Sequence, residues 1–242
     1  MANPILNEDK FLAQERVLDG QPMTINGTIQ RTLLLGMILI LGASVCWSKF
    51  MTGFTDMAMA LMSGGVILGF LFALVAAFTR NKYLIVVYSA CEGLALGGIS
   101  AIFETQMPGI VIQAVAGTFA ALFSMLILYR TGVIKCTEKF RSVIFITTAS
   151  IAAIYIVDFI GRLFLHTQIP VISTASPAGI LFSVFVTAIA ALNLIIDFDF
   201  IEKGSQMMLP KDYEWYGAFG LMVTLVWVYL EILKLLAKLN RK

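Results

Sequence analysis

Charge is the scarcest ingredient of this sequence. Asp, Glu, Lys and Arg make up 13% of its 242 residues, where soluble domains carry roughly 25%. So little charge cannot cover a water-facing surface. With 59% hydrophobic residues and a mean hydropathy of +0.89, the chain falls in the membrane class. Cysteine is also sparse: Cys46, Cys91 and Cys136 lie far apart with no CxxC spacing, which excludes a disulfide framework and a cysteine zinc site. The net charge of +2 and the lack of any basic run interleaved with aromatics exclude a nucleic-acid partner. The first 31 residues lack the basic start and short apolar core of a signal peptide, so the first apolar segment is expected to be retained.

Long apolar runs are what the chain does have. A hydrocarbon core of about 30 Å needs roughly 20 apolar helical residues. Seven segments qualify: Thr32–Trp47, Met57–Phe78, Tyr83–Phe103, Ile110–Leu128, Val143–Leu165, Ala178–Asp197 and Tyr216–Leu236. Their apolar residues run continuously instead of alternating, so they are not strands of a membrane barrel. The expected fold is an all-α, seven-helix bundle over residues 32–242, preceded by a polar segment, 1–31. That segment has a possible amphipathic helix from Asn7 to Leu18, with Phe11, Leu12 and Leu18 on one side.

The Lys and Arg residues of the loops set the orientation. The N-terminal segment and the loops after the second, fourth and sixth spans hold eleven of them, among them Arg31, Arg80, Lys82, Arg130, Lys139 and Lys203. The opposite loops hold only Lys49 and Arg162. This places the N-terminus in the cytoplasm and makes the sequon Asn26-Gly27-Thr28 inert. Lys238, Arg241 and Lys242 oppose the bias by putting positive charge at an external C-terminus.

Membrane helices associate where small residues let backbones approach. Such stripes occur at Gly65, Gly69, Ala73 and Ala77 in the second span and at Ser89, Gly93 and Gly97 in the third, beside Gly98. The fourth span has Gly117, Ala121 and Ser124. They predict a tight bundle. The twelve Met and eighteen Phe residues scatter over many faces and read as core and lipid contact.

Ionisable residues inside these spans are the functional candidates, because charge in hydrocarbon is costly and therefore rare. The third span has Glu92 and the fifth has Asp158 and Arg162, four apart and suited to pair on one face. The sixth has Asp197 and Asp199, and the seventh has Glu231 with Lys234 three residues on. Glu231 has two possible partners, Asp197 across the helices or Lys234 along its own. From Trp215 to Glu231 is sixteen residues, roughly 24 Å of helix. If the sixth helix continues past its apolar run to Leu209, where Pro210 stops it, Asp197 lies roughly 18 Å from that end and the two depths nearly match. Two buried carboxylates in contact cannot both ionise cheaply; sharing a proton would make them a pH-sensitive latch. Two carboxylates alone are a poor calcium trap, so passage is expected in preference to storage.

At these residues the chain resembles the Bax inhibitor family, and within it the bacterial YccA-like branch. The carriers are Met23-Thr24-Ile25-Asn26-Gly27-Thr28 before the first span, Glu92-Gly93-Leu94-Ala95-Leu96-Gly97, Asp197-Phe198-Asp199-Phe200-Ile201-Glu202, and Glu214-Trp215-Tyr216-Gly217 leading to Tyr229-Leu230-Glu231-Ile232. The resemblance implies a seven-helix fold with the last helix central, in a bacterial inner membrane. It also implies a pH-sensitive calcium leak gated by acids on helices six and seven, here Asp197 and Glu231. Glu231 stands where the family more usually has Asp, and the two acids are further apart in sequence than in other members. A non-conducting modulator of a membrane protease or quality-control machinery is the competing expectation. An enzyme is not expected. The single histidine, His166, lies in a loop, no GxGD element is present, and Lys234 is too near its span's end for a retinal lysine. Neither a cofactor nor a resident metal is expected; lipid, protons and calcium are the expected partners.

Overall fold

A computed structural model of the protein describes residues 21–241. The segment proposed as an amphipathic helix, 7–18, lies outside the described residues. Among the described residues seven long helices follow one another: α1 (Ile25–Met51), α2 (Thr55–Thr79), α3 (Lys82–Gln106), α4 (Ile110–Arg130), α5 (Glu138–Phe164), α6 (Pro177–Gln206) and α7 (Tyr213–Asn240). A single helical turn, Pro170–Ser173, precedes α6. No strand occurs among the described residues, only one bridge between Pro22 and Pro210. All seven helices are long and apolar enough to cross a membrane. Large apolar side chains such as Phe70, Phe78, Phe145 and Leu181 stand exposed, as lipid-facing residues do. The protein is a multi-pass, all-α membrane protein.

The helices overrun the apolar stretches because caps, not hydropathy, set their ends. Thr24 is extended and accepts the Gly27 amide at 2.9 Å, so α1 starts seven residues before its apolar run. Thr137 does the same for α5 through the Phe140 amide at 3.2 Å. Glu104 accepts the Gly109 and Val111 amides at 2.6 and 3.1 Å, closing α3 onto the start of α4. The sixth helix runs past residue 202, as the depth argument requires, but ends at Gln206 and not at Leu209. There the Met208 amide bonds the Ser205 carbonyl and the Leu209 amide bonds the Gly204 carbonyl, with Met208 left-handed at φ 53°. This is the paired closure normally built on glycine, and it stops the helix before Pro210 has any effect.

Two compact units divide the chain. The first holds residues up to Ala101 with Asp199–Met222; the second holds Ile102–Phe198 with Val223–Lys242. Helices α6 and α7 run through both. In the first unit Leu35, Ala76, Ile85, Tyr88, Ala218, Phe219 and Met222 form the core, with Tyr88 edge-on to Phe219. The glycine stripes of α2 and α3 are backbone contacts. A Cβ on Gly93 would lie 2.2 Å from the Leu39 carbonyl oxygen, one on Gly97 2.2 Å from that of Ala43, and one on Gly65 2.6 Å from that of Cys91. α3 is the most enclosed span, with 61% of its most apolar stretch buried against 39% for α7. α7 is nonetheless the helix that serves both cores, through Phe219 and Met222 in the first unit and Trp227 in the second. Two stripe members depart from expectation: Ala77 is exposed while Ala76 is buried, and Ser124 of α4 is exposed.

The second unit packs Ile144, Ile151, Val186 and Ile189 between α5 and α6. Asn193 fastens the same pair, donating to Thr148 Oγ1 at 3.0 Å and to the Ile189 carbonyl at 2.8 Å. Such a bond across membrane helices contributes roughly 0.6–2 kcal/mol.

Candidate functional site

A line of polar groups follows one face of α7 in the second unit. Thr224, Glu231, Lys234 and Lys238 are spaced seven, three and four residues apart, close to whole helical turns. Measured from Tyr213, Thr224 lies eleven residues along, roughly 16 Å, and Glu231 eighteen, roughly 27 Å. Thr224 therefore lies near the middle of this 28-residue helix, and Glu231 nine residues from its end.

Asp197 of α6 meets this line at Thr224, whose side chain hydrogen-bonds its carboxylate. The other oxygen, Oδ2, is sealed from solvent and has no hydrogen-bond partner. Buried carboxylate oxygens are nearly always satisfied, and this one is an exception.

Glu231 is 1% exposed and fully engaged elsewhere. Tyr155 of α5 donates its hydroxyl to both carboxylate oxygens at 3.1 Å, and Lys234 Nζ donates to Oε1 at 2.9 Å. The Lys234 ammonium also sits 4.7 Å from the centre of the Tyr155 ring. One turn further, Lys238 is buried and donates to the Gly179 carbonyl at 3.0 Å, the Val171 carbonyl at 3.4 Å and Ser183 Oγ at 2.8 Å.

The structure therefore does not bring Asp197 and Glu231 together. Their stations on α7 are seven residues apart, roughly 10 Å. The expected match in depth is corrected for two reasons. α6 stops three residues short of Leu209, and α7 starts two residues before Trp215. Both changes move Asp197 toward the loop relative to Glu231. Of the two partners open to Glu231, the fold selects Lys234.

The remaining acids are paired or isolated. Asp158 takes Arg162 Nε at 2.6 Å and the Ile169 amide at 2.8 Å, so it holds the loop after α5 as well as its helix partner. An open cavity of about 380 Å³ beside it is lined by Gly161, Thr167, Gln168 and Pro170 among others, and does not reach Glu231 or Asp197. In the first unit, Asp199 is buried and paired with Lys203 at 2.9 Å. Glu92 is half-buried against the bare backbone of Gly69, where a Cβ would lie 3.1 Å from its Oε2, and it makes no hydrogen bond or ion pair with any described residue. Among the described residues no three His, Cys, Asp or Glu side chains gather as a metal site.

The pattern of the Bax inhibitor 1 like family matches residues 3–241. The chain belongs to that family. No curated protein matches the chain significantly. Two of the segments that carry the family resemblance, 23–28 and 214–217, are spatial partners in the first unit. Glu214 accepts the Thr24 amide and hydroxyl at 3.1 and 2.9 Å and pairs with Arg31 at 3.8 Å, and Arg31 lies over Trp215. Sequence reasoning missed Tyr155, Thr224, Lys238 and Ser183. Thr224 and Lys238 had a signal in the sequence, each lying seven residues from Glu231; Tyr155 and Ser183 are ordinary polar residues of apolar helices until the packing is known.

Proposed function

We propose that the protein is a pH-sensitive cation leak, with calcium the expected ion, in which Asp197 and Glu231 act in series and not as one shared-proton pair. The observation that carries this reading is the sealed, unpartnered Oδ2 of Asp197, an acid held beside Thr224 in the middle of the apolar helix α7. Carboxylates at such depth mark ion or proton pathways. Glu92 is a secondary station of the first unit. The loop bias in Lys and Arg supports a cytoplasmic N-terminus and α6–α7 loop, with Glu231 toward the outer face of a bacterial inner membrane. No catalytic step is assigned to any residue.

The sign of the pH response follows from charge. Ionised Asp197 attracts a cation; protonated Asp197 does not, so flux falls as pH falls. Asp197→Asn fixes the protonated charge. In liposomes loaded with a calcium indicator, this variant is expected to admit calcium about tenfold more slowly at neutral pH and to lose the pH dependence. An unchanged rate and pH profile would remove Asp197 from the pathway. A wild type that admits no calcium, yet retains a membrane protease on pull-down, would favour the non-conducting modulator.

A further inference from the structure

The two lysines of α7 are held in different ways. Lys238 is buried and its ammonium has three acceptors, two of them backbone carbonyls. Lys234 has one acceptor among the described residues, Glu231 Oε1, and its side chain is 44% exposed. Three acceptors hold Lys238, whereas a single charged contact holds Lys234 and much of its side chain is exposed.

At the Glu231 station the arrangement is that of an occupied cation site. A buried carboxylate faces an ammonium at 2.9 Å, a phenol hydroxyl holds both carboxylate oxygens, and the same phenol ring lies beside the ammonium. The ammonium takes the place that an inorganic cation would take. Lys234 stands three residues beyond Glu231, on the side of the station away from Thr224 and Asp197.

We infer that Lys234 is a tethered cation that fills the Glu231 site and excludes free cations from it, so that the site is open only while the lysine arm is swung away. This rests on the reading of Asp197 and Glu231 as stations of a cation pathway, and deepens it by assigning the residue that closes the outer station.

The test uses the purified full chain in liposomes loaded with a calcium indicator, with calcium as the probe. Lys234→Gln is expected to raise calcium entry at least about fivefold over wild type. Lys234→Arg keeps the charge and is expected to stay within about twofold of wild type. Glu231→Gln combined with Lys234→Gln removes the site itself and is expected to lose the gain. Should Lys234→Gln fail to reconstitute, Lys234→Cys takes its place. Its raised entry is expected to fall when an aminoethyl methanethiosulfonate restores a positive charge, with treated wild type controlling for Cys46, Cys91 and Cys136. Entry equal to wild type in Lys234→Gln and Lys234→Cys, while Asp197→Asn still slows wild-type flux, overturns the tethered cation and leaves the leak intact. The same result with only a lower unfolding temperature makes the pair structural, and overturns the inference too. Entry that appears only once the lysine charge is gone supports the tethered cation and overturns a wild-type leak. No entry in any variant overturns both.

Discussion

Gly93→Ala is expected to cost roughly 3 kcal/mol or more of unfolding free energy, measured by denaturant titration in detergent, or to prevent folding altogether. An added Cβ would lie 2.2 Å from the Leu39 carbonyl oxygen and 3.0 Å from the Leu39 Cα and carbonyl carbon. All three obstacles are backbone, so no side chain can turn aside. Relief requires α1 to move, and α1 is held at two further close contacts. A Cβ on Gly97 would lie 2.2 Å from the Ala43 oxygen, and one on Gly42 would lie 2.7 Å from that of Ala90. Gly64 in α2 is the control, because nothing lies within 4 Å of its added Cβ. There alanine replaces the more flexible residue in a helix at no steric cost, and Gly64→Ala is expected to gain about 0.5–1 kcal/mol. Equal effects of the two substitutions would mean that the α1–α3 contact does not hold the bundle.

The contrast also shows how far the sequence was readable. Both glycines sit in long apolar runs, and only the four-residue repeat of Gly93 with Ser89 and Gly97 marks one of them as a contact. Seven spans were readable because continuous apolar stretches of membrane length have few other solutions. Their ends were not, because Thr24, Thr137 and Glu104 lie outside the apolar stretches and cap through hydrogen bonds that hydropathy does not register. The end of α6 was hardest to foresee. Its left-handed residue is Met208, where glycine is the usual signal, and Pro210 offered a plausible stop three residues too late. That displacement was enough to misplace the depth of Asp197. The periodicity of α7 put Glu231 and Lys234 within reach of each other, but it could not say how α6 is rotated. The choice of Thr224 over Glu231 for Asp197 depends on that rotation and on packing against α5.

Glu214→Ala is expected to cost about 2–4 kcal/mol in the same measurement. The carboxylate is 2% exposed and satisfies three groups at once: the Thr24 amide, the Thr24 hydroxyl and the Arg31 guanidinium. Truncation leaves the first two without their acceptor. The Arg31 contribution is the smaller one, because at 3.8 Å and 28% exposure water can take over part of the solvation. Gly27 gives an independent route to the same contact. A Cβ there would fall 2.0 Å from Glu214 Oε1 and 2.2 Å from the carboxyl carbon. Unlike the Leu39 backbone, this carboxylate can move, but only by leaving Thr24. Gly27→Ala should therefore cost much of what Glu214→Ala costs, and the double variant should cost clearly less than the sum, since the second change removes what the first displaced. Costs that add within about 0.5 kcal/mol would show that the two residues do not act through one contact. Non-additivity would tie Thr24-Ile25-Asn26-Gly27 and Glu214-Trp215-Tyr216-Gly217, 190 residues apart, to one physical cause. The start of α1 is fastened to the start of α7, the helix that further along carries Thr224, Glu231 and Lys234.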